Sequence, residues 1–211
     1  MTDKKYKIKE IFYSIQGEGY HAGRPAIFIR FSGCNLWNGR EEDRAKAICK
    51  FCDTDFVGTD GQNGGVYTAE QLLSKIILIS SETKCKFIVF TGGEPLLQLD
   101  ENILRSIKSN DLYIAMETNG TLEAIKGIDW ITVSPKLGAR FVQKSGNELK
   151  IVYPQENMDP STFEKLNFEH FYLQPKDDEN QQLNISKTLD YCLSNPVWKL
   201  SLQLHKILGV D

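Results

Sequence analysis

The chain has 211 residues, of which 41% are hydrophobic and 25% charged, enough apolar material to bury one medium-sized core and too much for a disordered polymer. Its 28 acidic and 25 basic residues leave a formal charge of -3 with no block of either sign, which excludes the strongly basic footprint of a nucleic-acid binder. No apolar run approaches the ~20 residues that span a bilayer, and residues 1–9 are basic and polar with no apolar segment behind them, so a cytoplasmic protein acting on a small molecule is expected, without membrane or nucleic acid as partner.

Apolar, β-branched runs alternate with helix-forming stretches along the chain. Strands are predicted over 26–29, 86–90, 112–116, 131–133, 149–152 and 171–173, and a last one over 200–202. After the first of them, the polar, glycine-rich stretch 58–65 reads as a loop rather than a domain boundary. Thr68-Ala69-Glu70-Gln71 then reads as a capping box opening a helix toward Ser80, because the threonine and glutamine can each satisfy a free amide at the helix start. Further helices are predicted over 96–109, 161–166 and 185–193. Alternation of this kind marks a parallel α/β sheet. The expected architecture is a single domain over 1–211 with a mostly parallel sheet forming an incomplete β/α barrel, since the chain is shorter than the ~250 residues of a closed eightfold barrel.

Several predicted strands run directly into polar or glycine-bearing groups: Thr91-Gly92-Gly93-Glu94, Glu117-Thr118-Asn119-Gly120, Ser134-Pro135-Lys136 and Gln174-Pro175-Lys176-Asp177. In a parallel sheet all of these converge on the carboxyl-end face, where such folds place their sites.

Five cysteines are an odd count for a disulfide framework and point instead to metal or cluster binding. Cys49-Lys50-Phe51-Cys52 is a close pair, and Cys34 precedes it by a stretch, 35–48, of fourteen residues. Thiolates at this spacing suit one iron-sulfur cluster or one zinc ion. Three thiolates leave one iron of a cubane open to another ligand, whereas zinc needs a fourth donor, for which His21 is the nearest histidine; the count alone leaves both open. Cys85 precedes a strand and Cys192 sits in a helical stretch, where a free cysteine is usually a small hydrophobe. The 35–48 stretch is rich in helix formers with opposite charges at helical spacing, which predicts an ordered excursion packed through Leu36, Trp37 and Ile48.

Cys34, Cys49, Phe51 and Cys52, followed by Thr91-Gly92-Gly93-Glu94-Pro95, resemble the radical S-adenosylmethionine superfamily, whose usual triad has three residues between its first two cysteines. The stretches Glu10-Ile11-Phe12-Tyr13-Ser14-Ile15-Gln16-Gly17-Glu18-Gly19, Gly33-Cys34-Asn35-Leu36-Trp37 and Cys52-Asp53-Thr54 resemble the 7-carboxy-7-deazaguanine synthase family, some members of which carry the longer 35–48 insertion. This similarity runs from Glu10 to His205.

The resemblance implies a [4Fe-4S] cluster on Cys34, Cys49 and Cys52 whose open iron binds S-adenosylmethionine, and reductive cleavage of that cofactor to a 5'-deoxyadenosyl radical. Phe51 would line the adenine, though a core role is the commoner fate of a phenylalanine. Gly93 would receive the cofactor's amino group, Glu117 the ribose hydroxyls, and Ser134, Pro135 and Lys136 would complete that side. The blander readings are an ordinary glycine turn and solvated strand ends.

For the substrate, the matching positions are Ile15, Gln16, Gly17, Arg30, Thr91, Gln174, Pro175, Lys176 and Asp177. Arg30 alternates with apolar neighbours, and its guanidinium suits either a substrate carboxylate or an internal salt bridge. Thr54 would place a hydroxyl on Mg2+, with Asp53 as rival ligand and a simple turn hydrogen bond as the plainer use of a threonine. The implied reaction is that of a carbon-nitrogen lyase: 6-carboxy-5,6,7,8-tetrahydropterin is converted to 7-carboxy-7-deazaguanine with loss of ammonia, on the route to queuosine and related 7-deazapurines. The implied partners are the pterin, an electron donor such as flavodoxin, and a second copy in a homodimer. Two other readings stand beside it, an activase of the same superfamily acting on a protein partner and a zinc-stabilised binding module.

Overall fold

Period-two and continuous apolar runs become nine strands in the computed structural model, which describes residues 4–210. In chain order they are β1 (Lys5–Ile15), β2 (Pro25–Phe31), β3 (Gly65–Thr68), β4 (Phe87–Gly92), β5 (Tyr113–Thr118), β6 (Trp130–Val133), β7 (Ser145–Tyr153), β8 (Asn167–Pro175) and β9 (Trp198–Leu200). The helices are α1 (Ala69–Thr83), α2 (Glu101–Lys108), α3 (Gln181–Ser194) and α4 (Leu204–Leu208).

All nine strands form one sheet in the order β3-β1-β2-β4-β5-β6-β7-β8-β9. From β2 to β9 every pairing is parallel, while β1 runs antiparallel to both β2 and β3. The two end strands, β3 and β9, do not pair with each other, so the sheet is open, as expected of an incomplete barrel. β2 and β4 are buried almost throughout, the pattern of strands covered on both faces.

α1 and α2 send Leu72, Ile76, Ile103, Leu104 and Ile107 into the larger apolar cluster with β1, β2, β4 and β5. A second cluster joins Val133, Leu149, Ile151, Leu173 and Trp198 across β6 to β9. Among the described residues no helix is long and apolar enough to cross a membrane.

The capping box at Thr68 forms as expected: the Gln71 amide donates to Thr68 Oγ1 at 3.2 Å and the Thr68 amide to Gln71 Oε1 at 2.9 Å. Two predicted helices need correction, as do the last strand, which lies at Trp198–Leu200 rather than over 200–202, and the packing of the 35–48 stretch, in which Leu36 and Trp37 are buried but Ile48 is exposed. The helix predicted from 96 divides into a 3-10 turn at Pro95–Leu97 and α2, because the Asp100 side chain caps the amides of Asn102 and Ile103 and restarts the helix there. The helix predicted over 161–166 is only a 3-10 turn, Pro160–Phe163. β1 was hidden by its lysines, which alternate with Tyr6, Ile8 and Ile11 of the core; a register shift between Ile8 and Glu10 then turns Lys9 inward. Lys9 is satisfied there by Val57 O and by the carboxylates of Asp55 and Asp60, at 2.8 to 2.9 Å.

Candidate functional site

Because the strands from β2 onward are parallel, the segments leaving their carboxyl ends meet on one side of the sheet, where they wall a cavity of about 480 Å3. Cys34, Cys49 and Cys52 all line it, whereas Cys85 and Cys192 do not. Cys85 instead lies buried at the opposite strand ends, its thiol directed at the carbonyls of Pro25 and Phe87. Among the described residues no three Cys, His, Asp or Glu side chains close on a common point. His21 lies elsewhere, among Phe87, Tyr113 and Trp130.

The thiols differ in their readiness to ionise. A hydrogen bond from Cys49 pulls the Cys52 thiol down to about 6 and correspondingly holds Cys49 well above its ordinary value, while burial pushes Cys34 up. The nearby ammonium of Lys136 favours the thiolates of Cys49 and Cys52, and its own proton is loosened by burial. Lys136 is anchored on Ser134, donating to its carbonyl at 2.7 Å and its hydroxyl at 2.6 Å.

The Gly92-Gly93 pair is required by packing within the protein itself. A Cβ at Gly93 would stand 2.0 Å from Gly33 O and 2.9 Å from Cys34 Cβ, and one at Gly92 would stand 2.3 Å from Phe31 O. The close approach is therefore by the protein's own backbone, where the chain leaving β4 crosses the chain leaving β2. Glu94 locks that crossing: its fully buried carboxylate accepts from Thr118 Oγ1 at 2.9 Å, the Asn119 amide at 2.8 Å and the Leu96 amide at 3.0 Å. Burial raises its carboxyl above the ordinary range, with these donors working in the opposite direction.

Glu117 stands at the centre of the cavity wall, receiving Gln16 Nε2 at 2.9 Å and Thr91 Oγ1 at 3.0 Å. Phe51, Gly93, Ser134, Lys136, Ile15, Gln16, Gly17, Arg30, Thr91, Gln174, Pro175 and Asp177 line the same cavity, as does Thr54. Pro135 and Lys176 are not in the lining, and Lys176 pairs with Asp178 at 3.0 Å. Arg30 forms the internal salt bridge with Glu10, at 2.7 Å through Nε. Asp53 is held by Lys206 at 2.5 Å and Gln203 at 3.1 Å. Gln174 Oε1 is buried in the wall without a hydrogen-bond partner, an acceptor suited to a ligand N–H or O–H.

Residues not singled out from the sequence complete the site. Lys150 on β7 forms a buried ion pair with Glu18, which also receives Gln203 Nε2 at 3.0 Å. α4 comes to the rim through the Leu204 amide, which donates to Gly17 O at 2.9 Å, and through Lys206, which bridges Asp53 and Asp177. A lone lysine inside the apolar run Leu149-Lys150-Ile151 was the available signal, because a buried lysine needs an anionic partner.

The chain matches the Radical SAM superfamily over residues 44–154. It is 54% identical to the 7-carboxy-7-deazaguanine synthase of Caulobacter vibrioides over 97% of this chain and 99% of that protein. The chain belongs to the 7-carboxy-7-deazaguanine synthase family. The enzyme of the same name from Burkholderia multivorans is 52% identical over 97% and 99% of the two chains. The crystal structure of QueE from Escherichia coli superposes with a TM-score of 0.72 at 27% identity, covering 95% of each chain.

Beneath its main cavity this 7-carboxy-7-deazaguanine synthase family member buries a second polar layer. Glu148 on β7 accepts the Tyr20 amide at 3.0 Å, and burial pushes its carboxyl up to about 7 against the pull of Lys150. A folded value above the ordinary 4.5 means that the native state holds this proton longer than the unfolded chain does. Measured against Glu148→Gln, the wild type should lose on the order of 3 kcal/mol of stability as pH rises through the interval from about 4.5 to 7. His21, pushed down to about 4 by burial, acts with the opposite sign, so the comparison is between the two proteins at each pH. Denaturant midpoints from pH 5 to 8 that run parallel in both proteins would remove Glu148 as the cause.

Proposed function

We propose that this chain converts 6-carboxy-5,6,7,8-tetrahydropterin to 7-carboxy-7-deazaguanine with loss of ammonia, as a radical S-adenosylmethionine lyase of the queuosine and 7-deazapurine route. The observation that carries this is the near full-length identity to 7-carboxy-7-deazaguanine synthases, joined to three thiols that line one cavity with an unpaired buried acceptor. When bound, a [4Fe-4S] cluster and S-adenosylmethionine supply a carbon-centred radical able to take a hydrogen atom from the substrate.

In this reading Cys34, Cys49 and Cys52 hold the cluster, and Lys136 offsets their negative charge. Phe51, Gly93, Glu117 and Ser134 receive S-adenosylmethionine, with Pro135 shaping the turn behind them. The Gly93 amide already donates to Phe31 O at 3.2 Å, so its carbonyl is the group left to accept the cofactor's ammonium. Ile15, Gln16, Gly17, Arg30, Thr91, Gln174, Pro175 and Asp177 take the pterin, whose fused ring presents several donors and acceptors in one plane. The Lys150–Glu18 pair stiffens this floor, and α4 covers the rim and limits water. A flavodoxin-like protein supplies the electron, and a cytoplasmic homodimer completes the proposal, with 35–48 as an insertion in one domain.

Anaerobic incubation with S-adenosylmethionine, a reductant and the carboxytetrahydropterin, followed by mass analysis, should yield the deazapurine. Cofactor cleavage with the pterin unchanged would favour the activase. A colourless protein holding zinc would favour the binding module.

Thr54 is proposed as the protein ligand of Mg2+, because Asp53 is engaged by Lys206 and a hard cation accepts a hydroxyl beside substrate oxygens and water. At full cluster content, Thr54→Ala should lower the magnesium-stimulated rate about tenfold, the scale of a lost metal contact. A normal response there, lost instead in Asp53→Asn, would transfer the role to the carboxylate.

A further inference from the structure

The ligand-bearing loop has no ladder of its own. Between the 3-10 helix Glu41–Lys46 and β3 the chain forms neither helix nor strand, and this stretch contains Cys49 and Cys52. Loops without regular backbone pairing open at low cost, so a loop that must hold two ligands in register needs side chains to fix it.

Arg44, on that 3-10 helix, fixes it. Its Nη1 donates to Lys50 O at 3.1 Å and to Cys52 O at 3.0 Å, two carbonyls of the Cys49-Lys50-Phe51-Cys52 turn. Its Nε donates to Glu41 Oε2 at 2.6 Å and its Nη2 to the other oxygen of the same carboxylate. The guanidinium lies over the Trp37 ring, 4.0 Å from its centroid. Trp37 is buried three residues after Cys34, donates to Arg40 O at 3.1 Å, and meets Phe56 edge-on beyond Cys52. Leu36 O also receives the amides of Ile48 and Cys49, which draws the two ends of the excursion together.

We infer that Arg44 is a positioning residue that sets the Cys49–Cys52 turn relative to Cys34 before the cluster is in place, and that this is the structural use of the 35–48 stretch. The inference rests on the assignment of these three cysteines as cluster ligands. Arginine is required by geometry: its planar fork serves two carbonyls, a carboxylate and a ring face at once, whereas a lysine ammonium has one centre and no face to stack.

The test uses the full chain with its cluster reconstituted, and reads iron content, the rate of iron release to a chelator and the electron paramagnetic resonance line shape of the reduced cluster. Arg44→Ala and Arg44→Lys should both release iron about ten- to a hundredfold faster, the range for losing an outer-shell contact, with an altered line shape. Glu41→Gln, at a mostly exposed side chain that is safe for folding, should shift release in the same direction by less. Wild-type release and line shape in Glu41→Gln and both Arg44 variants, with iron lost from Cys52→Ala, overturns the inference alone. Arg44→Lys matching the wild type while Arg44→Ala does not overturns the two-carbonyl geometry. Full iron in Cys52→Ala overturns the ligand assignment and this inference with it.

Discussion

Replacing Cys34, Cys49 or Cys52 by alanine should reduce iron to background and abolish turnover, whereas Cys85→Ala and Cys192→Ala should keep both. The three line one cavity with Lys136, and in the proposed cluster each would hold a separate iron, so no remaining thiol could take a lost ligand's place. Cys85 is buried at the far end of the strands and Cys192 sits on α3, part-buried against the second apolar cluster. Their replacement removes a small hydrophobe and should lower stability by about 1 kcal/mol without touching iron. Iron analysis and the visible absorbance of anaerobically purified protein decide the matter. Equal loss at Cys85 and Cys52 would remove the ligand set proposed above.

Gly93→Ala should be strongly damaging. The added methyl would stand 2.0 Å from Gly33 O and 2.4 Å from Gly33 C, and both are backbone atoms that no rotamer change can move aside. Relief requires the strand end to separate from the segment carrying Cys34, which also strains the Glu94 contacts to Thr118 and Asn119. A loss of about 3 kcal/mol is expected, the upper end of overpacking, together with poor cluster retention. Gly209→Ala is the control: nothing lies within 4 Å of its added methyl, and only its left-handed backbone at φ 66° is penalised, by roughly 1 kcal/mol. Thermal unfolding and iron content measured on both variants test this. Wild-type stability and full iron in Gly93→Ala would show that the crossing has slack.

The sequence by itself determined the local features. Apolar runs marked the parallel strands β2 and β4 to β8, with β9 placed two residues too late, Thr68 and Gln71 marked the start of α1, and the groups after β4, β5, β6 and β8 marked the face of the site. These depend on near neighbours and on the two-residue period of a strand, so they survive without knowledge of the fold. The cysteine count and spacing belong to the same class. Partner choice was decided only by the tertiary structure. Lys150 meets Glu18 across 132 residues of sequence, Lys206 reaches back to Asp53 across 153, and neither pairing has any trace in periodicity. β1 escaped because its lysines masked an alternation that becomes visible only when it pairs with β2 and β3. The glycines after β4 show the same limit: the sequence gives a residue without a side chain, and only the crossing of two distant strand ends shows that the space is filled by Phe31 and Gly33. Long-range closure chooses which buried charge finds which partner, because burying either alone costs more than any local preference can offset.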